Sequence, residues 1–232
     1  MGKIEDHRAV LAAMDDDWSE YLTANSRLPG PRANLELVAA CGEEADPSRA
    51  LSLLGSGDEF HMICGLVALG RLVGEGDQAL TELLLQHASD PRWQIREAVA
   101  MALQRAADSD PGGTFKITAV WAAEPDPLVR RAAVAAVAEP RLIADPRRAR
   151  QALSLLDAVT ADLERIPIEQ RRAEATRTLR QALGYAWSVV IAALPDQGLA
   201  TFRRLQVSSD PDIKWIVREN LKKARLRKLL DR

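Results

Sequence analysis

An aromatic ring and a carboxylate lie one helical turn apart in the first half of the chain. Trp93 and Glu97 fall within a segment, 91–107, whose apolar residues recur with the period of a helix. At about 100° per residue, both side chains point away from the apolar stripe that would face the core. A carboxylate stabilises positive charge that develops nearby, and the face of an aromatic ring attracts cations. The pair is therefore a candidate functional site.

Basic and aromatic residues occupy corresponding positions later in the chain. Glu97 corresponds in register to Arg131 and to Trp215, whose helix carries two more basic residues on the same face. Tyr185 points away from the apolar stripe of its own helix. A planar arginine side chain can hold a phosphate with two parallel hydrogen bonds. We therefore expect these side chains to line one concave groove: Trp93, Glu97, Arg131, Tyr185, Trp215, Arg218 and Lys222.

A repeated phrase must position these residues. Asp90-Pro91, Asp126-Pro127 and Asp210-Pro211 each precede a predicted helix that has a basic residue near its start. Two apolar positions recur with separations of 34, 34 and 84 residues: Cys64, Ala98, Ala132 and Ile216, and then Leu69, Leu103, Val137 and Leu221. Repeats of this length are typical of stacked helix pairs. The sequence predicts an all-α, HEAT-like α-solenoid, a right-handed stack of about five helix pairs that forms one domain over 1–232.

Proline and glycine residues divide the chain into predicted helices. No segment alternates with a period of two over a useful length, so we expect no sheet. Trp18, Trp121 and Trp187 are interpreted as core residues. The predicted helices are 5–24, 32–41, 48–54, 59–73, 77–88, 91–107, 114–123, 127–138, 147–165, 168–194, 197–207 and 211–230.

The net charge of −2 hides an uneven distribution along the chain. Residues 1–110 contain 9 basic and 19 acidic residues, whereas residues 111–232 contain 22 basic and 14 acidic residues. A basic half can bind phosphate, although charged helix faces exposed to solvent are the commoner explanation. The densest basic run, 222–228, is either part of a binding surface or a polar cap on the last repeat.

Several classes of protein are disfavoured by the sequence. The N-terminus is charged and lacks an apolar run, so we expect no secretory signal, and no stretch is long enough to span a membrane. Cys41 and Cys64 belong to no motif, and we interpret them as reduced core residues of a cytoplasmic protein. His7, His61 and His87 lack the spacing of metal ligands, so we expect no metal site.

These segments resemble the bacterial HEAT-like alkylpurine DNA glycosylases of the AlkC/AlkD type. The aromatic–carboxylate turn at 93–97 is similar to the family's catalytic turn, and Arg131-Ala132-Ala133 is similar to its arginine before paired alanines. Leu183-Gly184-Tyr185, followed by Pro195-Asp196, resembles its second aromatic segment. The segment 218–222 resembles the Arg-Glu helix of its last repeat.

The resemblance implies a DNA N-glycosylase that acts on duplex DNA without a metal or a cofactor. In that role Glu97 is the catalytic carboxylate, and Trp93 and Tyr185 are the aromatic residues of the catalytic site. Glu97 and Tyr185 stand where the family typically has Asp and Trp. The residues expected to bind DNA or a partner are Arg131, Trp215, Arg218 and Lys222.

A second interpretation is a non-catalytic HEAT-repeat scaffold that binds a protein in the same groove. Trp93 then covers a neighbouring helix, and Glu97 is a solvated charge or the partner of Arg131. A continuous basic lining of the groove favours DNA as the partner, whereas an apolar or acidic lining favours a protein.

Overall fold

The computed structural model describes residues 3–14, 17–74 and 76–230, and within these ranges the chain is all-α with no strand. It divides into two compact units, Met1–Pro111 and Gly112–Arg232. In each unit, helices that are close in sequence pack against each other, as they do in a helical repeat solenoid. The all-α prediction is confirmed, whereas the right-handed stacking and the single domain over 1–232 stay predictions.

The first unit is built around its fifth helix. α5 is buried along most of its length and packs against α3, α4 and α7. A glycine permits the close approach of α4, because a Cβ atom at Gly65 would lie 2.6 Å from the carbonyl oxygen of Ala50. The helices are α1 (Lys3–Ala12), α2 (Ser19–Asn25), α3 (Leu35–Glu44), α4 (Pro47–Gly55), α5 (Glu59–Gly74), α6 (Gln78–His87) and α7 (Trp93–Ser109).

The second unit is built around α11. This helix packs against α9, α10, α12, α13 and α14. Trp187 in α11 is fully buried, and its indole N–H donates to the hydroxyl of Thr160 at 3.1 Å. The helices are α8 (Pro111–Ala122), α9 (Pro127–Val137), α10 (Pro146–Arg165), a 3-10 turn (Gln170–Arg172), α11 (Glu174–Ala193), α12 (Pro195–Gln206), α13 (Pro211–Leu221) and α14 (Ala224–Leu230).

The repeat register corresponds to positions in the core. All four residues at the first repeated position, from Cys64 to Ile216, are fully buried. At the second position the first three are buried, and Leu221 is half-buried. Trp18 and Trp121 are buried as well. The register therefore identifies the inward face of each helix correctly.

Asp-Pro steps begin several helices, as the repeated phrase predicts. The side chains of Asp126, Asp145 and Asp210 accept hydrogen bonds from the backbone N–H groups of the first turn, and proline fills the next position. The first copy of the phrase differs. Asp90 accepts from the N–H of Arg92 at 2.8 Å, and α7 begins at Trp93, two residues later than Pro91.

In the first two copies of the phrase, the basic residue near the start of the helix is bound to the preceding turn. The Arg96 guanidinium donates to the carbonyl oxygens of Asp90 at 2.7 Å and Pro91 at 2.9 Å. Arg130, 34 residues later, donates through Nε to the carbonyl oxygen of Glu124 at 2.5 Å. Because both arginines reach back six residues, this repeated feature satisfies backbone acceptors at the helix junction.

The predicted helix 5–24 is wrong, because it is interrupted. α1 ends at Ala12, and α2 begins at Ser19; residues 15 and 16 of the predicted helix lie outside the described ranges. The carboxylate of Asp17 accepts from the N–H of Ser19 at 2.8 Å, which supplies an acceptor for a new helix start. The described residues therefore form two helices in place of one.

Two predicted C-terminal helices are also divided. The segment 168–194 begins with the 3-10 turn, and its α-helix starts only at Glu174. Arg171 ties this turn to the end of α10, because its guanidinium donates to the carbonyl oxygens of Glu164 and Ile166. The segment 211–230 breaks after Leu221, where the Lys223 N–H donates to the carbonyl oxygen of Asn220 at 2.9 Å in a tight turn.

The helices of the described ranges are short or interrupted by charged residues. None of them combines the length and the apolar character that crossing a lipid bilayer requires.

Candidate functional site

The side chains of Trp93 and Glu97 lie off the apolar stripe of α7. The stripe itself, from Ile95 to Leu103, is fully buried. Trp93 is the first residue of α7 and is 49% exposed, and Glu97 is half-buried. The predicted orientation of Trp93 away from the core is therefore correct, and its ring is accessible to a ligand.

Arg131 lies in α9 of the second unit and is only 8% exposed. Tyr185 and Trp215 belong to the same unit, whereas Trp93 and Glu97 belong to the first. The convergence of these side chains on one groove stays a prediction, as does the contact of Arg131 with phosphate.

Tyr185 is held between cationic side chains of the last turn and last helix. Its ring is 45% exposed, and its hydroxyl accepts a hydrogen bond from Arg225 at 2.9 Å. The Arg225 guanidinium carbon lies 4.9 Å from the ring centroid, and Lys223 Nζ lies 5.5 Å from it. Both distances are within the range of a cation–π interaction. Tyr185 therefore fixes two cations at the surface of the unit.

Trp215 packs on α11 at a glycine. A Cβ atom added to Gly184 would lie 2.7 Å from Cζ3 of the indole ring, so only glycine admits this packing without a shift. The Arg180 guanidinium carbon lies 4.7 Å from the ring centroid, and Arg180 also donates to Asp212. Like Tyr185, Trp215 is thus faced by a guanidinium group of the protein itself.

Arg218 and Lys222 are exposed cations that share one acidic partner. Lys222 Nζ lies 2.7 Å from Glu219, and Arg218 Nε lies 3.7 Å from it. The hydrogen bond from Lys222 is the main reason that the pKa of Glu219 lies below its ordinary value. Glu219 is therefore ionised at neutral pH and partly neutralises the two cations.

A cavity of about 440 Å³ opens beside these two cations, between α12, α13 and α14. Lys214, Arg218 and Lys222 lie along one side at intervals of four residues, and Arg227 of α14 also lines it. Val217 and Leu221 form the apolar part of the cavity wall, and Gln206 completes the lining. Within the described ranges, no acidic side chain is paired with Lys214 or Arg227.

Sequence reasoning missed Lys214, although its spacing from Arg218 places both on one helical face. Arg225 and Arg227 belong to the basic run 222–228 that the sequence singles out, but the predicted continuous helix 211–230 gives them a different direction from the one that the turn at Lys223 produces.

A buried ion-pair network lies at the start of α13, the helix that carries Trp215. Arg171 donates to Asp210 at 2.6 Å and to Asp212 at 3.3 Å, and all three side chains are largely buried. Burial works to raise the pKa of Asp210, but hydrogen bonds from Arg171 and from the N–H groups of Ile213 and Asp212 outweigh it and lower the pKa. The network joins the turn before α11 to the first turn of α13.

This arrangement suits an anionic ligand better than a cationic one. The rings of Tyr185 and Trp215 already face guanidinium groups, so a cationic base would meet like charge there. A phosphate would meet exposed cations whose positions are fixed by aromatic contacts. Among the described residues, no three His, Cys, Asp or Glu side chains are grouped so that they could hold a metal ion.

Comparisons with known proteins find similar solved structures but no family. No protein-family model matches the chain, and no curated protein matches it. The chain is similar to a crystal structure of an engineered protein from the Northeast Structural Genomics Consortium, with 16% sequence identity and a TM-score of 0.39, over 99% of this chain and 98% of that one.

Proposed function

We propose that this helical-repeat protein binds duplex DNA through the second unit. The observation that carries the proposal is the group of cations at Tyr185 and Trp215. Arg218, Lys222, Lys223 and Arg225 belong to α13 or to the segment that follows it, and Glu219 is the acidic residue paired among them. The excess of basic residues in 111–232 supplies a long-range attraction for a polyanion.

The physical basis of this binding is the release of counterions. Each phosphate that a lysine or arginine neutralises frees condensed cations from the duplex, so the affinity falls steeply as salt is added. Contacts to phosphate position a protein on DNA without reading its sequence. The surface therefore supports binding and orientation rather than recognition of a base sequence.

The finer proposal is that the protein acts as an alkylpurine DNA glycosylase. Cleavage of the N-glycosidic bond of an alkylated purine leaves positive charge on the sugar, which the carboxylate of Glu97 would stabilise. The exposed ring of Trp93, one turn away, would shield the cationic base. In this role Trp93 and Glu97 would act at the lesion, and the cations of the second unit would bind phosphate.

Binding is tested by measuring duplex affinity over a range of salt concentrations. We expect a log–log slope of roughly −0.9 for each neutralised phosphate. The substitution Arg218→Ala should weaken binding and make the slope less negative by about 1, whereas Arg203→Ala, an exposed arginine of α12, serves as the matched control. Undetectable or salt-independent binding at low ionic strength would refute the proposal.

Excision is tested by incubating the protein with methylated duplex DNA and measuring released base. Glu97→Gln should abolish release while duplex affinity stays within about twofold, because the amide keeps the shape but loses the charge. If Glu97 has only a structural role, the same change instead lowers the free energy of unfolding by up to about 1 kcal/mol. If the wild-type protein binds duplex but releases no base, the DNA-binding proposal stands and the enzymatic proposal is refuted.

A protein partner is the second candidate, and the composition of the surface favours it. Exposed Tyr185 and half-buried Trp215 lie beside arginines, and these residue types dominate binding energy at protein interfaces. A non-catalytic scaffold would bind an acidic segment of another protein through the same cations. The duplex titration separates the two, because a scaffold of this kind need not bind DNA with the predicted salt dependence.

A further inference from the structure

We propose that the cavity between α12, α13 and α14 binds a phosphomonoester, the terminal phosphate of a DNA strand. This inference rests on the proposed function, because it identifies which part of a duplex this surface recognises. The cavity lies beside the cations that carry that proposal and shares Arg218 and Lys222 with them.

The first argument is the arrangement of charge around the cavity. Lys214, Arg218 and Lys222 are four residues apart along α13, so their side chains form a row with a spacing of about 6 Å. Arg227 of α14 also lines the cavity. Glu219 is paired with Arg218 and Lys222, whereas in the described part of the chain no carboxylate pairs with Lys214 or Arg227. The cavity therefore carries a net positive charge.

The second argument is the chemistry of the ligand that matches this charge. A phosphate within a strand is a diester with one negative charge, whereas a terminal phosphate carries close to two charges and three acceptor oxygens. Guanidinium and ammonium groups form their strongest hydrogen bonds with such acceptors. The three cations of the row and Arg227 together offer more hydrogen-bond donors than the two free oxygens of one phosphodiester use.

The third argument is the shape and the apolar wall. The cavity is open to solvent on one side, and its volume of about 440 Å³ leaves room for a phosphate group. Val217 and Leu221 give the cavity a low-dielectric wall that strengthens the field of the cations. The carboxyl end of α13 carries partial negative charge and does not favour an anion, so the side chains must supply the attraction.

The experiment compares otherwise identical short blunt-ended duplexes whose ends differ. One carries hydroxyl groups at all ends, and the others carry either a 5′- or a 3′-terminal phosphate; affinity for the full-length protein is measured by fluorescence anisotropy. We expect one type of terminal phosphate to tighten binding by about threefold to tenfold over the hydroxyl-ended duplex. Inorganic phosphate should remove this preference when it is added as a competitor.

Variants assign the preference to the cavity. Lys214→Gln and Arg227→Gln should each abolish most of the preference for a phosphorylated end and leave the affinity for the hydroxyl-ended duplex nearly unchanged. Lys116→Gln and Arg203→Gln are the matched controls, because both residues are exposed cations of the same unit outside the cavity. All four positions are on the surface, so thermal unfolding of the variants should match that of the wild type.

The possible failures are distinguishable. A duplex that binds equally well with and without terminal phosphates would overturn this inference and leave the proposed DNA binding intact. A preference that survives in Lys214→Gln and Arg227→Gln would also overturn it, since the phosphate would then bind elsewhere. If the protein binds inorganic phosphate through Lys214 but no duplex at all, the proposed function fails and the cavity is a site for a free phosphomonoester.

Discussion

Asn220 of α13 is hydrogen-bonded to the backbone of Ser188 in the middle of α11. Its side-chain oxygen accepts from the Ser188 N–H at 2.8 Å, and its amide nitrogen donates to the carbonyl oxygens of Leu183 at 2.9 Å and Ile216 at 2.8 Å. Asn220 is completely buried. One side chain thus joins α13 to the turn of α11 that carries Gly184 and Tyr185.

The substitution Asn220→Ala should be one of the most destabilising in the second unit. It removes three buried hydrogen bonds and leaves backbone groups without those partners, at a cost of about 1–3 kcal/mol for an unsatisfied group. Chemical denaturation measures the loss. Gln181→Ala, at an exposed position of α11, is the control and should change stability by less than about 0.5 kcal/mol. Equal stability of the two variants would refute a structural role for Asn220.

Gly184→Ala tests the packing of Trp215. The new methyl group would lie 2.7 Å from the indole ring, and overpacking of this kind costs about 1–3 kcal/mol, more than the roughly 1 kcal/mol that alanine gains in a helix. We expect a lower free energy of unfolding and a changed tryptophan fluorescence spectrum. In a Trp215→Ala background, where the collision is absent, the same substitution should be neutral or stabilising. An additive double-mutant cycle would contradict this account.

The repeat register predicted the fold because each repeated position has one environment. Cys64, Ala98, Ala132 and Ile216 differ in size but are all fully buried. The ends of helices were less predictable. The break after Leu221 involves no glycine or proline, and its cause is tertiary: the turn allows Leu226 to be buried and Arg225 to reach Tyr185. Local sequence carries no signal for a contact between residues 40 positions apart.

The candidate site was predictable where it depends on helical faces alone. The exposure of Trp93 and Tyr185 follows from their position off the apolar stripe. The guanidinium groups that face Tyr185 and Trp215 come from other helices, so helical periodicity could not identify them. The burial of Arg131 was not predicted either, because an arginine beside a core position is usually exposed.

Acid should weaken the network of Arg171 and Asp210. The pKa of Asp210 in the folded protein lies below its ordinary value of 3.8, so its stabilising contribution is present above about pH 4 and is lost as the pH falls through the lower, folded value. Asp210→Asn keeps an acceptor for the start of α13 but removes the charge. We expect it to destabilise the protein at pH 7 and to have a smaller effect near pH 3, as measured by urea denaturation.

The control is the substitution Asp210→Asn made in an Arg171→Met background. In Arg171→Met the partner of Asp210 is absent, so Asp210→Asn should lose most of its pH dependence. Arg171→Met alone should cost about 3–5 kcal/mol at neutral pH, because it leaves the largely buried carboxylate of Asp210 without its cationic partner and Asp212 with Arg180 alone. A penalty for Asp210→Asn that is equal at pH 7 and pH 3 would exclude the ion pair as its source.

Glu219→Gln should strengthen binding of the duplex. Ionised Glu219 competes with phosphate for Lys222 and Arg218, and its amide counterpart would not. We expect the affinity to rise by about twofold to fivefold and the salt slope to become more negative. Glu169→Gln, an exposed acidic residue of the same unit, is the matched control for a change in net charge. Equal gains in both variants would show a general effect of charge.

Arg96 and Arg130, which reach back to the turns before their own helices, provide the hydrogen bonds of those two junctions locally. Arg96 and Arg130 find their carbonyl partners within six residues, so these acceptors are satisfied whatever lies in the adjacent copy. A copy that is duplicated or deleted as a block of 34 residues therefore carries its own junction chemistry with it. Such a chain can gain or lose whole repeats, and the backbone acceptors at the new junction keep their hydrogen-bond partners.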